Sequence, residues 1–150
     1  MSEAQDYAIK LLGHRARSEA ELRRRLEAKG FAAEEIDQAI ARLKELRYLD
    51  DEALAVSRAE SMVQAERKGP RLAVRKLEVA GIEETKAKAA VESAKEGASE
   101  RELALKALEK RRPLLAPNAA RAERHKAARW LAGRGFSEET VRDVLRLDEE

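Results

Sequence analysis

The chain has 150 residues, 43% hydrophobic and 40% charged, with 31 basic and 29 acidic side chains, seven glycines, three prolines and no cysteine. Ala and Leu alternating with charges, and so few turn residues, exclude sandwiches, barrels and doubly wound sheets, while the missing cysteine excludes a disulfide framework or a thiolate metal cage. No apolar run approaches the ~20 residues of a membrane span and the amino terminus is polar, so the sequence predicts a cytoplasmic protein that contacts no membrane.

The first predicted helix runs from Ala4 to Arg15, with Tyr7, Ala8, Leu11 and Leu12 on one stripe. Ser18-Glu19-Ala20-Glu21 is a capping box opening the second. That helix ends at Gly30, where a left-handed C′ residue avoids a Cβ clash and Phe31 at C″ packs back on Leu26. Phe31 also precedes the N-cap of the third helix and staples to Ile36, which predicts a buried ring at the joint. Asp50 caps the fourth helix, with Leu49 stapled to Leu54, and the pattern continues to about Arg67. Gly69-Pro70 opens the fifth, Pro at the first helical position, and Gly81 closes it with Leu77 and Ile82 as the apolar pair. Ala87 then sits in the sixth helix where Ile36 sits in the third. Ser99-Glu100-Arg101-Glu102 opens a seventh helix ending near Pro113, and an eighth starts near Pro117-Asn118. Leu131, Gly135 and Phe136 repeat the closing pattern, and Ser137 caps the ninth, with Val141 at its fourth position. Small residues, Gly and Pro mark Ala94 to Ala98 and Pro113 to Asn118 as the predicted flexible joints.

Gly30, Gly81 and Gly135 are separated by 51 and 54 residues, and apolar residues follow each at the same offsets. A recurring unit too small to bury its own core predicts stacking of neighbours. The expected fold is all-α: an elongated tandem array of three three-helix modules, nine helices, with boundaries at 1–48, 49–97 and 98–150. A monomer is expected, since no heptad pattern is left unclaimed.

Charge follows the same period. From His14 to Gly30 six basic residues face three acidic ones, and from Phe31 to Leu54 three face seven. The later pairs of segments repeat the alternation, so the middle helix of each unit is basic and the third acidic. The basic side chains are Arg15, Arg17, Arg23, Arg24, Arg25 and Lys29, then Arg67, Lys68, Arg71, Arg75 and Lys76, then Arg121, Arg124, Lys126, Arg129 and Arg134. One reading is a solvated face with local ion pairs to Glu19, Glu27 or Glu123; the other is a surface for DNA phosphate or an acidic protein. Catalysis finds no support: there is no phosphate loop, dinucleotide fingerprint or metal-ligand spacing, and His14 and His125 read as surface residues. Asp50-Asp51 reads as a helix cap rather than a carboxylate pair. No catalytic, metal-binding or cofactor-binding residue is assigned.

Arg17-Ser18, Glu21-Leu22, Leu26, Lys29-Gly30-Phe31, Ile36 and Tyr48-Leu49-Asp50-Asp51 resemble the RecX family. Lys68-Gly69-Pro70-Arg71, Leu77 and Gly81-Ile82 resemble its second repeat, and Trp130-Leu131, Arg134-Gly135-Phe136-Ser137 and Val141 its last. The resemblance covers nearly the whole chain. It implies tandem three-helix modules that bind along the groove of the RecA recombinase filament on single-stranded DNA and suppress ATP hydrolysis, strand exchange and coprotease activity, with at most weak binding to duplex. Leu54, Ala73 and Lys76 depart from the family, which often has an aromatic, a larger aliphatic and an acidic residue there. They imply a thinner second module and a more basic middle helix. Two other readings stay open: a free-standing helix-turn-helix-like DNA binder reading duplex with its middle helices, and a helical adaptor for another protein.

Overall fold

The structure, a computed structural model, describes residues 2–111 and 120–147. Among these residues the secondary structure is entirely helical: α1 (Glu3–His14), α2 (Glu19–Lys29), α3 (Ala33–Glu45), α4 (Asp51–Glu60), α5 (Pro70–Val79), α6 (Glu84–Ala94), α7 (Glu100–Arg111), α8 (Arg121–Gly133) and α9 (Glu138–Leu145). Substantial helix–helix packing falls within the triplets α1–α3, α4–α6 and α7–α9, and no helix of the first packs substantially on one of the third. This is the predicted elongated array of three-helix units.

Local chemistry sets the helix ends. Ser18 and Glu21 form the predicted capping box, Asp50 Oδ1 accepts the Ala53 N–H at 3.0 Å, and Ser137 Oγ accepts that of Thr140 at 3.2 Å. Ser2 and Gln5 form a further capping box on α1, a start the apolar stripe alone did not reveal. Gly30, Gly81 and Gly135 have φ of 98°, 94° and 96°. Behind them Phe31, Ile82 and Phe136 donate their N–H groups to Leu26, Leu77 and Leu131 at 3.3, 3.0 and 3.2 Å. All three glycines therefore close their helices with the same doubly bonded left-handed turn.

Three expectations are altered, and one falls outside the described residues. The helix after Asp50 ends in a π-helical turn over Ser61–Ala65, closed by the Glu66 N–H on the Ser61 carbonyl at 2.9 Å, instead of running as α-helix to Arg67. Ala94 to Ala98 is a bonded turn, Lys95 N–H to Val91 O at 3.2 Å and Ala98 N–H to Lys95 O at 3.0 Å, in which Glu96 and Gly97 take the left-handed region. The predicted joint at Pro113 to Asn118 and the helix start at Pro117-Asn118 lie outside the described residues. Phe31 is half-buried against Tyr7, ring centroids 6.0 Å apart, because its Gly30 turn rests on no other triplet among the described residues, whereas Ile82 and Phe136 are buried.

Core sharing is also unequal. Ala8, Leu22, Leu26, Ile36, Ile40, Leu43 and Leu49 form a core belonging to the first triplet. A second, continuous core runs through both other triplets, from Ala55 and Leu77 to Leu131, Phe136 and Leu145. The first triplet joins the second through polar and small groups instead, and that joint frames the candidate site.

Candidate functional site

At the first joint the Gly81 turn lies on the first turn of α2. Ser18, fully buried, donates its hydroxyl to the Ala80 carbonyl while still accepting the Glu21 N–H. A Cβ on Gly81 would lie 2.3 Å from the Ala20 Cβ, so this approach requires glycine. Asp51 Oδ1 takes the Glu19 N–H at 2.9 Å, which makes the second aspartate of the pair a cap on a helix of the neighbouring triplet. Glu21 holds the joint from the other side. Its oxygens accept Arg58 Nη2 at 3.0 Å and Nη1 at 3.3 Å, and Arg58 also donates to the Ala16 carbonyl at 3.2 Å.

Burial would push the Glu21 carboxyl up, but the Arg58 fork, the Ser18 N–H and the Arg15 charge outweigh it and hold it below the ordinary 4.5. With its side chain 20% exposed and that of Arg58 26%, the pair is too enclosed to be dismissed as a surface ion pair. The sign follows from linkage. A carboxyl whose pKa falls on folding contributes stability fully above its unfolded value and loses it as pH drops through the folded value. Glu21→Gln is expected to cost about 2 kcal/mol near neutral pH and to flatten the decline in stability below pH 4.5, measured by urea titration across pH.

With the joint closed, α2, the π turn and α5 enclose a groove of about 770 Å³. Arg15, Arg24, Arg58, Lys68, Arg75 and Lys76 line it, against the carboxylates of Glu21 and Glu66 and the apolar Met62, Leu72, Leu77 and Val79. Both acids are engaged: Glu21 by Arg58, and Glu66 by Lys68 Nζ at 2.6 Å, a bond that with the lysine's charge pulls the Glu66 carboxyl down. Arg24 donates to the neutral Val79 carbonyl at 3.3 Å, and no carboxylate among the described residues compensates its charge. Among the described residues Arg75 and Lys76 have no hydrogen-bond or ion-pair partner. The π turn contributes Ser61 and Met62 to the wall. Beside the groove, Arg17 is lowered from its ordinary value first by burial and then by Arg25 and Arg15, and its Nε is buried without a partner. These are unspent positive charges, and the ligand they suit is an anion carrying several charges along its length.

Of the residues the sequence nominated, the structure therefore gathers Arg15, Arg24, Lys68, Arg75 and Lys76 in one groove, with Arg17 beside it, near both Arg25 and Arg15. Others have internal tasks. Arg23 pairs with Asp37 of α3 at 2.7 Å, Lys29 lies 5.3 Å from the Tyr7 ring centre, and Arg124 donates to the Leu145 and Arg146 carbonyls. Arg134 donates to the Glu66 carbonyl and stacks on Trp130, 5.7 Å from the ring centre, with Arg111 at 5.0 Å. The exposed side chains of Arg71, Lys126 and Arg129 do not line the groove. Part of the basic-then-acidic alternation is thus pairing within a unit, as between Arg23 and Asp37. Arg58 carries no local motif that marks it, because its partners, Glu21 and the Ala16 carbonyl, lie in another triplet.

Fold and site together define a helical-repeat protein with a cationic groove at the junction of two units. Family models for the first and third three-helix domains of RecX match residues 4–43 and 99–145. Regulatory protein RecX of Chlorobaculum tepidum is 35% identical over 146 residues, 97% of this chain and 88% of that protein. Its counterpart from Geobacillus thermodenitrificans is 30% identical over 146 residues, but this chain spans about half its length, 54%. The crystal structure of RecX from Lactobacillus salivarius, 22% identical, has the same fold, with a TM-score of 0.76 covering 99% of this chain and 96% of that one. The chain belongs to the RecX family.

Proposed function

We propose that this protein is a non-catalytic regulator of the RecA recombinase, mainly an inhibitor, that lies along the groove of the RecA filament on single-stranded DNA and modulates ATP hydrolysis, strand exchange and coprotease activity in DNA repair. The name shared by its relatives, regulatory protein, supports the regulatory role. The observation that carries the reading is the groove between the first two triplets, where Arg24, Arg75 and Lys76 bear charges that no carboxylate among the described residues neutralises. A row of such charges suits the DNA backbone or an acidic strip of the filament. The modules at 1–48, 49–97 and 98–150 act as successive rigid units along that path, and the protein works in the cytoplasm as a single chain at each site.

Added at a stoichiometric ratio to RecA on single-stranded DNA, the protein is expected to slow ATP hydrolysis severalfold. Unchanged hydrolysis would overturn the proposal. Free-standing duplex reading is disfavoured by the joints themselves. A recognition helix needs the residues of its first turn against base edges, and here the first turns of α2 and α5 lie beneath the turns of the next triplets.

A further inference from the structure

The two internal joints share one layout, though a side-chain hydroxyl holds the first and two peptide N–H groups the second, and among the described residues the first and last triplets each present an uncovered half of it. In both, the glycine turn of one triplet rests on the first turn of the middle helix of the triplet before. Ser18, Gly69 and Ala120, the N-caps of α2, α5 and α8, follow one another at intervals of 51 residues. On α2 the occupant is the Gly81 turn, held by Ser18. On α5 it is the Gly135 turn: the Gly69 N–H donates to Arg134 O at 2.6 Å and the Arg71 N–H to Gly135 O at 3.2 Å.

The third such surface is α8. Ala120 and Ala122, in the register of Gly69 and Arg71, are exposed, and their N–H groups have no partner among the described residues. At the opposite end the Gly30 turn has the φ and hydrogen bonds of its two counterparts, yet a Cβ there would meet nothing within 4 Å. The carbonyls of Lys29 and Gly30, which correspond to those of Arg134 and Gly135, accept no hydrogen bond among the described residues. Phe31 is left half-exposed where Ile82 and Phe136 are 3% and 4% exposed.

We propose that the Gly30 turn of one copy docks on the first turn of α8 of a second copy, head to tail, reproducing the internal joint. The occupant is this chain because a turn of this conformation, from this same chain, already fills the equivalent surface at both internal joints. Lys29 and Gly30 present the two carbonyls, Ala120 and Ala122 the two N–H groups, and the methyl side chains leave the room that Ala20 leaves beneath Gly81. Phe31 gains the cover that Ile82 and Phe136 already have. Such an association uses two different patches and does not close on itself, so it yields open chains. Without the covalent tether it must also offset the loss of free tumbling, which makes it weak in dilute solution.

Sedimentation equilibrium tests this with two variants that each block one end. Gly30→Asn keeps a residue tolerant of the left-handed region but adds a Cβ where the joint has no space, and Ala122→Trp covers the first turn of α8. Both are expected to keep the parent circular dichroism and melting curve, since neither site touches the rest of the fold. The parent mass should climb from 16.8 kDa with concentration and show no plateau at two chains. Each variant alone should stay at one chain, while their equimolar mixture should form pairs and nothing larger, because each supplies one working end. A parent that remains a single chain up to about 1 mM overturns the proposal. A plateau at the dimer, or either variant associating as the parent does, overturns it equally. None of these outcomes depends on the recombinase.

Discussion

Gly69→Ala is expected to lower stability by about 3 kcal/mol and to uncouple the last triplet from the middle one. The added Cβ would lie 2.4 Å from the carbonyl carbon and oxygen of Gly135 and 2.7 Å from the Phe136 nitrogen. Those neighbours are backbone, so no side chain can swing aside; the two segments must separate. Separation stretches the Gly69 bond to Arg134 and the Arg71 bond to Gly135, and it opens the core that runs from Ala55 to Leu145. Gly69 itself has φ of −71°, so strain at the residue plays no part and the whole effect comes from approach. Gly13, inside α1 with nothing within 4 Å of its absent Cβ, is the control: Gly13→Ala should gain up to about 1 kcal/mol from helix propensity. Urea titration followed by circular dichroism reads both. An unchanged midpoint for Gly69→Ala would mean that the second and third triplets are not seated as described.

The second large effect is expected on binding. Arg75→Glu combined with Lys76→Glu should leave helicity and stability near those of the parent, since neither side chain has an internal partner among the described residues. It should weaken binding to single-stranded DNA or to the RecA filament by about 100-fold at moderate salt and reduce the salt slope on single strands by about 1.4, roughly 0.7 for each phosphate no longer neutralised. Arg23→Glu is the control: it breaks the exposed 2.7 Å pair with Asp37 and faces acid with acid, which should cost no more than about 1 kcal/mol of stability while leaving the groove lining and the binding intact. If the double variant binds with the parent's affinity and salt slope, the groove is not where the partner lies.

Much of the fold is legible in the sequence because its signals are local. The Leu, Gly and aromatic or aliphatic residue at each turn sit within six positions of one another, and the hydrogen bonds they predict, Phe31 to Leu26 among them, need no other part of the chain. Helix caps are local in the same sense, which is why the Ser18–Glu21 capping box and the Ser137 N-cap can be placed from the sequence. The site is legible only in composition. That the middle helices are basic is written along the chain, but which arginines are spent inside the fold depends on partners far away in sequence. Arg58 meets Glu21 across 37 positions, and Arg134 meets Glu66 across 68. Asp51 shows the limit well: it reads as a cap, yet the helix it caps belongs to a different triplet. Glu100 holds the same first position in its own helix, but it cannot repeat that arrangement, because the residue it would serve is Pro70, which has no N–H to give. It accepts the Ser137 N–H at 2.7 Å instead.

At the glycine joint the hydrogen bonds between the second and third triplets run between peptide groups, above an apolar core that the two triplets share. Backbone contacts of that kind carry little side-chain identity, and so they accommodate the gain or loss of a whole repeat. Duplicating one stretch of about fifty residues would insert a segment bringing both fittings with it, and deleting one would leave compatible ends behind. Array length is therefore free to drift in whole steps over evolutionary time, while the individual step stays fixed by the distance between one glycine and the next.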